Sequence, residues 1–133
     1  MSKNPKTEVQ QLLEKDAFSK WLDVKIVDIQ SGYAKLSMLV RDDMTNGFGV
    51  CHGGVTFSFA DSALAFASNS RGATSVAIEN NINYTKKVSV GDTLTAETEE
   101  IQNGRTLGVY KVKITNQNTQ LVAEFRGTVY RSM

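Results

Sequence analysis

One acidic side chain stands alone in the most apolar stretch of this chain. Between Val50 and Ser70 the sole charged residue is Asp61, set in the run Val-Thr-Phe-Ser-Phe-Ala-Asp-Ser-Ala-Leu-Ala-Phe-Ala-Ser of residues 55–68. An ionised carboxylate inside an apolar environment is costly unless it is paired or hydrogen-bonded, and alanine would serve a helix better there. Just ahead lie His52, Gly53 and Gly54, and before them Asn46. Glycines at the start of a helix leave backbone N–H groups pointing off its positive end. A carboxylate further along the helix and free donors at its start are the two halves of an acyl-transfer site. One attacks or activates water, and the other stabilises the oxyanion. His52 could orient or polarise a substrate, and Asn46 could offer an amide to a carbonyl or to the attacking group. Plainer readings stand beside these. Asp61 could cap backbone groups, His52 could bond a loop carbonyl, and Asn46 could be a turn asparagine before Gly47. Cys51 reads as a small buried thiol rather than a nucleophile.

The elements that must position these residues follow from periodicity. Val9, Leu12, Leu13 and Phe18 recur at helical spacing within residues 7–20, which predicts a short amphipathic helix. Residues 21–30 and 33–41, joined by Ser31-Gly32, read as a hairpin with one buried face. Glycines at 47, 49, 53 and 54 mark a tight loop. Residues 55–68 are apolar on nearly every side, which predicts a helix buried all round. On it Asp61 shares a face with Gly54, Phe57, Ser58, Leu64 and Ala65. Residues 74–84, 92–102, 106–116 and 120–130 alternate as strands, with Asn103-Gly104 as a hairpin turn. The expected fold is α+β, an antiparallel sheet wrapped round one long central helix.

Composition removes other classes. The chain has 133 residues, expected as one domain with residues 1–20 as N-terminal tail and helix, 41% hydrophobic and 22% charged. Fifteen basic against fourteen acidic residues leave a charge of +1, so no field recruits nucleic acid or an anionic membrane. One cysteine and one histidine supply at most two adjacent metal ligands, short of a structural zinc site. Phosphate-binding glycine motifs are absent. With no apolar run of membrane-spanning length and a polar N-terminus, a cytoplasmic protein is expected.

The run from Asn46 through His52-Gly53-Gly54 to Asp61 resembles the signature of hotdog-fold acyl-CoA thioesterases of the phenylacetate-degradation (PaaI) type. The likeness continues through Val90–Ala96, Gly108-Val109-Tyr110 and Phe125-Arg126-Gly127, and spans roughly residues 15–131. It implies edge-to-edge dimers, usually paired into tetramers, with active sites at the dimer interface. It implies Asp61 as nucleophile or general base, the Gly53 N–H as oxyanion donor, and Asn46 and His52 as positioning groups. Coenzyme A, part of the substrate rather than a cofactor, is expected along Tyr84 and Gly104-Arg105-Thr106. Lys86, Lys87 and Arg126 are added from charge, since phosphates favour Lys and Arg. Phe48 and Phe57 fit an aryl or short acyl group, which points to phenylacetyl- or hydroxyphenylacetyl-CoA.

Two departures from the family pattern stand out. Lys87 occupies a place where family members often have proline. Ala77 falls where some relatives bring a hydroxyl from the partner, although Ser75 could reach in under another register. Competing readings are a thioesterase for fatty acyl-CoA or another acyl carrier, and a non-hydrolytic acyl-CoA-binding hotdog protein.

Overall fold

The computed structural model describes residues 4–132. Where periodicity reads one helix over 7–20, there are two, α1 (Pro5–Lys15) and α2 (Ala17–Leu22). Asp16 makes the break. Its N–H closes α1 on the Leu13 carbonyl, and its carboxylate caps α2 by accepting from the Ser19 N–H at 3.0 Å and the Ser19 hydroxyl at 2.6 Å. α2 ends at Asp23 in the left-handed conformation, φ 60°. Trp21 and Leu22, which the sequence pattern assigns to the first strand, therefore belong to the helix, and β1 begins at Lys25 (Lys25–Gln30).

Then follow β2 (Tyr33–Leu39), α3 (Gly53–Asn69), β3 (Thr74–Tyr84), β4 (Thr93–Asn103), β5 (Leu107–Thr115) and β6 (Leu121–Ser132). The six strands form one antiparallel sheet in the order β1-β2-β4-β5-β6-β3, and α3 packs against five of them, β2 to β6. This is the helix-in-sheet hotdog arrangement. Phe59, Leu64 and Phe66 of α3 share one core with Leu36, Leu94, Tyr110, Ile114 and Phe125, all of them buried. Each such side chain contributes about 1.5–3 kcal/mol by leaving water. The sheet's other face carries charges that alternate in sign across five strands. Register aligns Asp28, Lys35, Glu97, Lys113 and Glu124 in one row, which suits a face turned to solvent. No helix among the described residues is long and apolar enough to cross a membrane.

Burial of α3 is not uniform, contrary to its composition. Gly54 is exposed, and Phe57, Ser58, Asp61, Ala65 and Asn69 are only half-buried. These positions form one stripe at helical spacing. Leu64, expected on the same face as Asp61, turns instead into the core at 1% exposure. The chain thus leaves open the one helix face that carries its carboxylate.

Beside that stripe runs β3, an edge strand that pairs with β6 alone among the described residues. Its pairing slips between Ala77 and Glu79, which makes Ile78 the extra residue of a β-bulge. Val76 and Ile78 are 57% and 58% exposed.

A buried polar network fastens the far end of α3. Arg131, 6% exposed, donates Nη1 to the Ser68 carbonyl and Ser75 Oγ, Nη2 to Asn103 Oδ1 and Tyr110 OH, and Nε to the Gly104 carbonyl. Tyr110 in turn donates to Glu100, which also holds Arg71 in a two-pronged ion pair. Burial pushes the Glu100 carboxyl up, but the hydrogen bonds from Arg71 and Tyr110 outweigh it and hold it below the ordinary range. A buried guanidinium needs all five of its N–H groups answered, and here they are.

Candidate active site

Three residues of β3 reach across to α3. Past the bulge, Asn80, Ile82 and Tyr84 alternate onto the helix side. Asn80 Nδ2 donates to Asp61 Oδ1 at 3.0 Å, and Tyr84 OH donates to the Gly53 carbonyl at 2.7 Å. The spacing is commensurate: four strand residues span about 13 Å and eight helical residues about 12 Å. Each end of this segment therefore meets its helix position.

Among the described residues no cation lies beside Asp61. Burial pushes its carboxyl above the ordinary range, the Asn80 hydrogen bond draws it back only in part, and the like charge of Asp16 adds to the upward push. Asn80 holds Oδ1, while Oδ2 makes no hydrogen bond within the described residues.

At the helix start His52 is the N-cap, and its Nδ1 accepts from the Gly54 N–H at 2.8 Å. An accepting Nδ1 places the proton of the neutral ring on Nε2, which makes that atom a donor. The Gly54 donor is thereby spent, and the Val55 N–H bonds the His52 carbonyl. Of these three N–H groups at the helix start, that of Gly53 alone has no partner among the described residues. A Cβ on Gly53 would lie 3.0 Å from Tyr84 OH, so this close approach favours glycine. Asn46 scaffolds the loop: its Oδ1 accepts from the Phe48 N–H at 2.9 Å and the Val50 N–H at 3.3 Å, leaving the Nδ2 amide for another partner.

The two halves of the expected site do not meet within one chain. Gly53 and Asp61 are separated by about 12 Å of helix axis, whereas a reacting carbonyl needs both within about 3 Å. The residues expected along coenzyme A divide in the same way. Tyr84 and the exposed Lys86 and Lys87 lie by the helix start. Gly104 and the exposed Arg105 and Thr106 form the β4–β5 turn, tied through Arg131 to Ser68 near the helix end. A 17-residue helix, about 26 Å long, lies between the groups. Arg126 is exposed on β6, opposite Lys111 and Asn81 on the face turned away from α3, and is not brought to Asp61. Ser75 is engaged by Arg131 and does not reach Asp61, while Ala77 is exposed on the edge strand. Phe57 packs edge-on against Phe125 at 5.4 Å, and Phe48 is 91% exposed at the loop tip. Cys51 is buried, and burial pushes its thiol up, which suits an inert side chain.

Asn80 escaped the sequence reading. Alternation counted from Ser75 and Ala77 places Glu79, Asn81 and Asn83 toward the helix. The Ile78 bulge reverses that parity, and only the apolar Ile82 flanked by Asn80 and Tyr84 hints at it.

A model of the thioesterase superfamily matches residues 48–123. The acyl-coenzyme A thioesterase PaaI of Escherichia coli is 41% identical over 120 residues, 90% of this chain and 86% of that protein. The solved structure of E. coli PaaI, from the phenylacetic acid degradation operon, superposes with a TM-score of 0.95 at 38% identity over 97% of this chain and 94% of that one. A thioesterase-like protein of Streptococcus pneumoniae, solved with coenzyme A, matches with a TM-score of 0.87 at 28% identity, covering 92% and 96%.

Proposed function

Because this chain belongs to the thioesterase superfamily, we propose that it hydrolyses acyl-CoA thioesters to free acid and coenzyme A, with Asp61 as general base. The observation that carries the reading is the half-buried carboxylate on the open stripe of α3, with one oxygen held and one free. Desolvation raises its basicity, which suits proton abstraction near neutral pH. Asp61 takes a proton from water, the hydroxide adds to the thioester carbonyl, and collapse expels the thiolate, which is then reprotonated. The Gly53 N–H, at the positive end of α3, receives the oxyanion. His52 Nε2–H and the Asn46 amide orient the carbonyl and the attacking group. Only water and the thioester are consumed, so no cofactor enters.

Helix geometry supports a Gly53 donor that comes from a second copy. The long β3 edge with exposed Val76 and Ile78 is a template for strand pairing. Antiparallel pairing of two such edges reverses the second helix and carries its start along the first. The same operation brings Tyr84 and Lys86 of one copy toward Gly104, Arg105 and Thr106 of the other, which supports a continuous path for coenzyme A. Dimers of this kind pair further into tetramers in our reading.

The acyl group is arylacetyl, on the strength of Phe57 beside the small residues Gly54, Ser58 and Ala65 of the open stripe. The test is thiol release from phenylacetyl-, hydroxyphenylacetyl-, short-chain and long-chain acyl-CoA. Highest kcat/KM on the aryl substrates is expected. Preference for long chains would replace the aryl assignment, and binding of coenzyme A without release from any thioester would replace hydrolysis by a binding role.

A further inference from the structure

We propose that Asn80 is a positioning residue for the reaction: its amide clamps one oxygen of the Asp61 carboxylate so that the other is presented to water in a fixed direction. The assignment rests on Asp61 acting as the base, and adds a residue from a different element. Asn80 Nδ2 lies 3.0 Å from Asp61 Oδ1, while Asn80 Oδ1 is fully buried and has no hydrogen-bond partner, the one side-chain polar atom so placed among the described residues. A buried acceptor left unanswered is unfavourable. Turning the amide over would set its oxygen against the Asp61 carboxylate, which repels it when ionised. The arrangement is therefore held for the sake of the Asp61 bond.

The surroundings are cut to admit it. Gly127, opposite Asn80 in the β3–β6 register, leaves space that a Cβ would take, 2.6 Å from Asn80 Oδ1. The Ile78 bulge turns Asn80 inward. Among the described residues no charged group bonds the carboxylate. Asp61 is the only charge on α3, and the charge that reaches it from α2 is Asp16, of the same sign. Glu79 on β3 and Glu124 and Arg126 on β6 alternate onto the opposite face of the sheet. A neutral amide is thus the group that favours the ionised form, and without it the carboxyl shifts further up.

The experiment measures kcat and KM against pH for the wild type, Asn80→Leu, Asn80→Asp and Asp61→Asn, all as the full chain and checked for fold by circular dichroism. Asn80→Leu removes the donor, and Asn80→Asp keeps the size but sets a second carboxylate against the first. In both, the acid limb of kcat/KM is expected to move up by about one pH unit or more, with kcat down about tenfold and KM little changed. An acid limb left at its wild-type position in a folded Asn80 variant, whatever its turnover, would overturn the assignment, since a structural role does not move it. Substantial turnover by Asp61→Asn would instead overturn the role of Asp61 itself, so the two failures are distinguishable.

Discussion

Gly127→Ala adds one methyl group at a place where nothing can receive it. The strand backbone there accepts any residue, so the effect is steric. The new Cβ would lie 2.6 Å from Asn80 Oδ1, 2.6 Å from Leu64 Cδ2 and 3.1 Å from Phe125 Cε1. A carbon sits roughly 3.3 Å or more from an oxygen and roughly 3.5 Å or more from another carbon, so the first two neighbours must yield by about 0.7–0.9 Å. Leu64 is locked in the core at 1% exposure, while Asn80 lies on the edge strand. Asn80 therefore gives way more readily than Leu64. A displacement of that size is enough to lose a 3.0 Å hydrogen bond, which is gone by about 3.6 Å. Overpacking costs about 1–3 kcal/mol, and for a chain of this length each kcal/mol lowers Tm by about 4 °C. Thermal melts should show Gly127→Ala about 4–12 °C below the wild type, with the acid limb of kcat/KM shifted up. Gly47→Ala is the stability control, because its Cβ would meet nothing within 4 Å. A Gly127→Ala protein that melts with the wild type and keeps its pH profile would show that the methyl group is accommodated and that Asn80 stays in place.

Other perturbations test other parts of the structure. Arg131→Met strands the acceptors of Ser68, Gly104, Asn103 and Tyr110 and should cost about 3 kcal/mol or more in denaturant unfolding; a loss below about 1 kcal/mol would contradict the network's role. Asp61→Asn should raise Tm at neutral pH, commonly by the equivalent of about 0.5–2 kcal/mol. The sign follows from a folded carboxyl raised above its unfolded value of 3.8: the cost of ionisation is absent below that value and complete once pH has risen through the folded one. The gain should vanish near about pH 3, and a pH-independent gain would point to packing instead. Ile78→Lys on the β3 edge should lower the sedimentation mass toward that of one chain and abolish turnover together; an unchanged mass would move the interface elsewhere.

Most of the fold was legible because its signals are local. The alternation of β5 and β6 and the charge-free run around Asp61 each name their element unaided. Two features resisted for physical reasons. Asp16 reads as one more polar residue of a helix, yet its short carboxylate can close one helix and cap the next. Ile78 reads as a strand residue, yet as a bulge it reverses which side chains face α3, so the sequence hides Asn80 and presents Tyr84 only as a coenzyme A contact. Asp61, Gly53, His52 and Asn46 stood out by type and spacing. That Gly53 and Asp61 of one chain lie about 12 Å apart is written in the helical rise rather than in the residues.

If Asp61 is the base that activates water, hydrolysis depends on its carboxylate. The test is thiol release from phenylacetyl-CoA by purified Asp61→Asn beside the wild type, at saturating substrate and with the oligomeric mass of both confirmed. A positioned general base contributes typically about 10²–10⁴-fold, so the account predicts turnover reduced at least about a hundredfold with assembly intact. Retention of more than about a tenth of wild-type turnover would contradict it.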